Sequence, residues 1–359
     1  MKKEIQFDPL PHPTALDRLF YYADFFKFGE VHIKFDHATG LKAIIAIHSL
    51  KRGPAIGGCR LVHYPTTEDA LEEAMRLAYM MSLKSAISNL PHGGAKAVLI
   101  KPAAIKDPKA YFAAFAGFVH ELGGRYVTAV DSGTCIADMD IIAAHTPYVT
   151  CVTTANDSGE PALYTALGVR RGIEAAVKVK LGRNHLEGIH VAIQGVGHTG
   201  YALAKDLNAL GAQLTICDTN QQMVERCVGE FSAAVCRPEA IYDVAADVFS
   251  PCALRAVLNL NTIKRLKVSI VAGSANNQLA QHHYGVLLHE QGIFYVPDFV
   301  INAGGLIYAA AMYNHAGPAR AREQVNHIYP TVTEIFARAA TENKAASEIA
   351  ETMALERLQ

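Results

Sequence analysis

The 359-residue sequence predicts an α/β protein of two domains, an N-terminal α/β domain over 1–152 and a doubly wound parallel-sheet domain over 153–334. Helices at the C-terminal end, from about 335 to 359, are expected to pack back on the first domain. Three observations carry this reading. The chain exceeds the size of one ordinary compact domain. Half its residues are apolar and only 19% are charged, enough to bury two cores. Apolar, β-branched runs alternate with segments of helical periodicity, most regularly after residue 190.

In the first domain, residues 41–47 are apolar and β-branched, the mark of a buried strand. Thr66-Thr67-Glu68-Asp69 opens a helix, with threonine as the cap and acids in the first turn. Leu71, Ala74, Met75, Ala78 and Met81 follow at helical spacing, and the helix runs into Lys84. Residues 97–100, 126–130 and 148–152 read as further strands, and 53–60 as a turn-rich loop. The polar stretch 153–161 marks a boundary or hinge. A helix over about 164–179 comes next. Strands near 190–194, 213–217, 248–250, 268–272 and 293–296 then alternate with helices. From about residue 319 the chain reads as helical, amphipathic and charged.

Composition excludes several classes. With 33 basic against 34 acidic side chains, no global field favours nucleic acid or an anionic membrane. The N-terminus starts basic but lacks a signal peptide's apolar run, and no stretch of about 20 apolar residues would span a bilayer. Seven cysteines without CxxC pairing read as reduced thiols, which points to the cytoplasm. Cys59 and Cys135 are expected to be small packing residues. Sixteen histidines form no HxxxH or HExxH array, so no metal is expected.

Two motifs carry the chemistry. In the stretch 83–100, Lys84 and Lys96 stand in an apolar setting, and Lys96 lies between Gly93-Gly94 and a Val-Leu-Ile run. A lysine held against a buried strand loses hydration. Its reference pKa of about 10.4 must fall to roughly 7–8 for it to act as an acid/base at neutral pH. The second motif is Gly195-Val196-Gly197-His198-Thr199-Gly200, a GxGxxG between an apolar strand and a helix start. Gly195 permits a tight turn, Gly197 admits a pyrophosphate, and Gly200 allows close helix–strand packing. The next strand ends at Asp218, whose carboxylate would accept from ribose hydroxyls and repel a 2′-phosphate. That pattern predicts a Rossmann-type domain binding NAD in preference to NADP.

Further motifs accompany these. Gly53–Arg60 contains Gly57-Gly58; Asp131 ends a strand before Gly133; Asn276 follows a Rossmann strand; and Val300-Ile301-Asn302-Ala303-Gly304-Gly305-Leu306 follows the last one. In this order and spacing, they resemble the glutamate/leucine/phenylalanine/valine dehydrogenase family, most of all its leucine branch, from about residue 27 to 345.

The resemblance implies a substrate-binding and oligomerisation domain at the N-terminus, and roles for single residues. Lys84 would grip the substrate α-carboxylate, Lys96 would activate water, and Asp131 would shuttle protons to the substrate amine. Gly57 and Gly58 would line the substrate pocket, and Thr165 and Asn276 would lie near the nicotinamide. Hinge closure around the substrate and a homo-oligomer, commonly octameric in the leucine branch, are implied as well. The family's glutamate enzymes carry a lysine just before the first Gly-Gly pair, where this chain has Ile56. Ile56, Val300 and Leu306 would present apolar walls to a branched aliphatic side chain. The expected reaction is therefore reversible, NAD-dependent oxidative deamination of leucine, valine or isoleucine to the 2-oxo acid and ammonia.

Departures from the leucine pattern are His92, Ala95, Val130, Ser132, Ala162 and Leu163. Ala95 is expected to tighten the pocket, and His92 either titrates near the site or satisfies a backbone carbonyl. Two alternatives stay open: an aromatic amino acid as substrate, and a non-catalytic NAD-binding sensor or scaffold. A hydroxy-acid dehydrogenase would want a histidine–carboxylate or arginine set, and none stands out.

Overall fold

Small and branched apolar residues build the strands of the N-terminal half: β1 (Glu30–Asp36), β2 (Leu41–Ser49), β3 (Ala55–Val62), β4 (Gly93–Ile100) and β5 (Tyr126–Val130). The computed structural model describes residues 15–154, 159–253 and 255–358. Among them these strands form one sheet in the order β1-β2-β4-β3-β5. β1 and β4 run antiparallel to β2, while β3 is parallel to both β4 and β5.

Helices α1 (Ala15–Phe26) and α2 (Thr67–Ile87) belong to one side of this sheet. Thr66 caps α2 by accepting from the Asp69 amide at 3.1 Å. Ala70, Ala74 and Ala78 let the helix lie close on Ile44, Ala46 and Val98. On the other side are α3 (Pro108–Glu121) and α4 (Ile136–Ala143). There Phe112, Phe115 and Phe118 bury Leu41, Ile45 and Leu99. Asp107 caps α3 and Pro108 opens it, where a missing N–H costs nothing.

Two expectations for this half are corrected. Residues 53–60 are not a loop, because 55–62 form β3, flanked by parallel strands on both edges. Glycine reads locally as a turn, yet here the close neighbours of the strand demand it. Residues 148–152 do not form a strand. Only a Thr128↔Val149 bridge forms, and Cys151 turns the chain with φ +60.

The second half carries β6 (His190–Gln194), β7 (Gln213–Cys217), β8 (Ala234–Val235), β9 (Val248–Pro251), β10 (Ile270–Val271) and β11 (Phe294–Tyr295). Their order is β11-β10-β9-β6-β7-β8, every pairing parallel. This is the doubly wound arrangement, and its strand order reverses beside β6. Helices α5 (Ala162–Leu181), α6 (His198–Ala209) and α7 (Gln221–Phe231) accompany it. The exposed β8 is only two residues long, too short for the alternation of a strand to show in the sequence.

The described chain divides into two units, and their bounds differ from the expected ones. The first takes in 15–161, 306–321 and 354–358; the second takes in 162–305 and 322–353. Thus 335–353 stay with the parallel sheet rather than returning. Phe336 stacks on Phe294 at 4.6 Å, Arg171 lies 4.8 Å over the Tyr329 ring, and His282 meets Glu351 at 3.0 Å. Residues 306–321 join the first unit because Thr150 donates to the Ala309 carbonyl at 2.8 Å and Asn314 bonds His92 at 2.8 Å. Of the turn-rich boundary segment, 155–158 lie outside the described residues.

Candidate active site

Lys96 and Asp131 meet because the strand between them lacks a side chain at one position. Pairings Ile56↔Gly94 and Cys59↔Ala97 bracket Gly58 and Lys96 side by side, and Gly58 pairs with Ala129 on the opposite edge. Side chains alternate along a strand, so Ile56, Gly58 and Arg60 share one face. A Cβ on Gly58 would lie 2.7 Å from the Asp131 Cβ and 3.0 Å from the Val130 carbonyl oxygen. With hydrogen there instead, the Lys96 Nζ reaches Asp131 Oδ2 at 2.5 Å. Lys96 is 5% exposed.

Arg60 converges on the same oxygen, its Nε donating to Asp131 Oδ2 at 3.0 Å. Its Nη1 donates to Glu73 Oε1 on α2 at 2.7 Å, and the Tyr64 hydroxyl donates to Glu73 Oε2 at 2.5 Å. Burial would raise the Asp131 carboxyl, but the Lys96 and Arg60 charges outweigh it and hold the group well below the usual carboxylate range. Among the described residues nothing hydrogen-bonds Asp131 Oδ1. Burial pushes the Cys59 thiol beneath the pair up to about 12, so it stays a neutral packing residue as expected. Cys135, expected to be packed too, is exposed ahead of α4, where Asp138 accepts from its amide.

Other expected site residues fall as follows. Lys84 is half-buried in the last turn of α2, whose Ser82 packs against Gly94. Gly57 is explained by strand packing, since a Cβ there would strike the Ala95 carbonyl. Ala95 belongs to the core opposite the Lys96 face, so its methyl does not tighten the site. Ile56 is buried on the Lys96 face. Leu306 lies in the first unit and Val300 in the second, both buried. His92 is buried and satisfies a backbone carbonyl. Its Nδ1 bonds the Pro54 oxygen at 3.0 Å and its Nε2 accepts from Asn314 Nδ2, while burial pushes the imidazole below its usual value.

In the second unit the GxGxxG turn links β6 to α6. Gly195 has φ +93, and a Cβ there would lie 2.5 Å from the Ala253 Cβ. A Cβ on Gly200 would strike the Gly195 carbonyl. Gly197, by contrast, has nothing within 4 Å of its Cβ position and caps α6. The backbone here is therefore open outward and closed inward. Val196 donates to Asp218 Oδ2 at 2.7 Å, fixing the carboxylate at the end of β7, and Asn220 donates to Oδ1 at 2.8 Å. His198 and Thr199 form the first turn of α6, where amides point at an anion. These residues fit a dinucleotide, with its pyrophosphate at the α6 N-terminus. Thr165 is half-buried at the start of α5. Asn276 is exposed and accepts from Asn302 at 2.8 Å.

Arg60, Glu73, Tyr64 and Asn302 were given no role from sequence. Arg60 stands two residues after Gly58, so a period-two reading of 55–62 as a strand would have placed it beside Lys96. No sequence signal points to Glu73. Among the described residues no group of three or more His, Cys, Asp or Glu is arranged to hold a metal, and no helix is long and apolar enough to cross a membrane.

Comparison with known proteins now bears on this arrangement. The model of the Glu/Leu/Phe/Val dehydrogenase dimerisation domain matches residues 27–148, and that of glutamate/leucine/phenylalanine/valine dehydrogenase matches 219–358. The chain is 44% identical over 342 residues to the leucine dehydrogenase of Geobacillus stearothermophilus, covering 95% of this chain and 93% of that protein. The chain belongs to the Glu/Leu/Phe/Val dehydrogenase family. As a member it is an oxidoreductase, an amino-acid dehydrogenase.

Other members of the family are also similar. The phenylalanine dehydrogenase of Bacillus thermotolerans is 39% identical, covering 90% of this chain and 86% of that one. The crystal structure of L-tryptophan dehydrogenase from Nostoc punctiforme superposes with TM-score 0.82 at 36% identity, covering 94% of this chain and 98% of that one.

Proposed function

We propose that the protein catalyses reversible, NAD-dependent oxidative deamination of an apolar branched-chain L-amino acid, releasing the 2-oxo acid and ammonia. The observation that carries this reading is the Lys96–Asp131 pair formed across Gly58, with Ile56 on the same strand face. Lys84 would fix the α-carboxylate by charge-assisted hydrogen bonding. Asp131 would take a proton from the substrate ammonium at Oδ1, the oxygen left open by Lys96 and Arg60. NAD, when bound by residues 195–200 and Asp218, supplies the hydride acceptor for the substrate Cα–H. Lys96, in the neutral form it reaches by releasing its own proton to solvent, would then take a proton from the water that attacks the imino carbon, and Asp131 would return the proton it took to the departing amine.

Apolar Ile56 supports the choice of substrate, because a buried carboxylate without a cation costs several kcal/mol. Glutamate is thereby disfavoured. Asp218, a carboxylate at the ribose end, supports NAD over NADP. An aromatic substrate is the second reading, favoured by the likeness to phenylalanine and tryptophan dehydrogenases. A homo-oligomer in the cytoplasm, octameric as in the leucine branch, completes the proposal. The deciding experiment offers L-leucine, L-valine, L-isoleucine, L-phenylalanine, L-tryptophan and L-glutamate with NAD and NADP in parallel, following absorbance of the reduced cofactor. Aliphatic substrates with NAD should be fastest. Silence across the panel removes the proposal; faster aromatic turnover selects the second reading.

A further inference from the structure

We propose that Arg60 is a positioning residue for Asp131, and that Glu73 and Tyr64 hold it so that Oδ2 stays with Lys96 and Oδ1 faces the reacting amine. The inference rests on the deamination reading above. A guanidinium is suited to this place because its planar fork serves two carboxylates at once. Here Nε takes Asp131 at 3.0 Å while Nη1 takes Glu73 at 2.7 Å. The Arg60 and Glu73 side chains are 16% and 13% exposed, so neither swings freely into solvent. Tyr64, bonding Glu73 at 2.5 Å, closes the chain at its far end.

Asp131 alone, ion-paired to a flexible lysine, would rotate about its χ angles and present either oxygen to either partner. Two cations on one oxygen remove that freedom. The arrangement also sets the charge around the pair. Facing Asp131 are Lys96 from β4 and Arg60 from β3, with Glu73 of α2 and Tyr64 behind Arg60; Cys59 and Tyr126 lie on the opposite face of the sheet, close enough to feel its charge. Burial keeps the Cys59 thiol and both tyrosine hydroxyls protonated. Arg60 and Glu73 are thus the adjustable charges, and they act with opposite sign on the Lys96–Asp131 pair.

That opposition is the test. The pH dependence of kcat/KM should be measured for Arg60→Gln, Arg60→Lys and Glu73→Gln. The rate of Lys96 carbamylation by cyanate, read by peptide mass spectrometry across pH, gives a measure independent of turnover. Removing the positive charge in Arg60→Gln should move the apparent midpoint of the pair up by about one pH unit. Glu73→Gln, removing one of the two carboxylates that balance Arg60, should move it down. Arg60→Lys should restore the midpoint while kcat stays about tenfold low with KM little changed, because an ammonium lacks the fork.

Midpoints that coincide with the wild type, or that shift the same way in Arg60→Gln and Glu73→Gln, overturn the inference. If Arg60→Gln loses its folded circular dichroism, a downward shift in the isosteric Glu73→Gln still supports the inference, and no shift overturns it. A wild type that turns over no amino acid removes the deamination reading, while opposed carbamylation shifts would still uphold the Arg60 arrangement.

Discussion

The two units build their sites from different materials. In the first, cations from two neighbouring strands, Lys96 of β4 and Arg60 of β3, are gathered on one carboxylate, and Glu73 of α2 holds the arginine. In the second, the backbone itself forms the cradle, and the one carboxylate in it is held by two amides. Side-chain sites of the first kind depend on sheet register, because a neighbour one residue out faces the other side. Backbone sites of the second kind depend on φ and on the absence of Cβ atoms. The comparison teaches that a reactive group needs long-range assembly, whereas a pyrophosphate cradle is local.

The contrast can be broken by mutation. Lys96→Ala has the largest expected effect, a fall in turnover of about 10²–10⁴-fold, the range for a general base, with NADH binding retained. Steady-state kinetics beside NADH fluorescence titration checks both halves. Gly58→Ala comes next. Its new Cβ, 2.7 Å from Asp131 Cβ, must push the carboxylate off Lys96. At an overpacking cost of about 1–3 kcal/mol, turnover should fall roughly ten- to a hundredfold while cofactor affinity holds. Gly195→Ala should show the reverse pattern. Its φ of +93 and 2.5 Å approach to Ala253 should weaken NADH binding about tenfold, with the Lys96 site undisturbed.

Acid and alkali should separate the units by smaller amounts. Asp131 is held below its unfolded value near 3.9, so its stabilising contribution is present above that pH. It is lost as pH falls through the depressed value. Thermal midpoints of Asp131→Asn should therefore fall less steeply on acidification than those of the wild type. His282, raised first of all by its hydrogen bond to Glu351, behaves oppositely. Its contribution is full below about 6.5 and lost as pH rises through its higher folded value. Between pH 6 and 8, His282→Gln should flatten the decline in the thermal midpoint, the smallest change of the set.

The same contrast explains what was legible in the sequence. β6, the glycine turn, α6 and β7 follow one another within 190–217, so periodicity and glycine spacing suffice. Lys96 and Asp131 could be singled out as residue types, but their contact is made across β3. In the sequence that strand reads as a loop, since Gly57 and Gly58 carry no β signal of their own. Arg60 stands unmarked in the sequence for the same reason. The unit boundaries depend on contacts remote in sequence, Thr150 with Ala309 and His92 with Asn314, which no local window contains.

On strand β3, positions 56 and 58 are neighbours on one face with unlike duties. Position 58 must stay bare for the chemistry to be wired at all. Position 56 contributes nothing to that wiring, and its side chain is buried on the same face. On the deamination proposal, a descendant of this enzyme could retune which amino acid it accepts at position 56, two residues along β3 from Gly58, without rebuilding the Lys96–Asp131 pair.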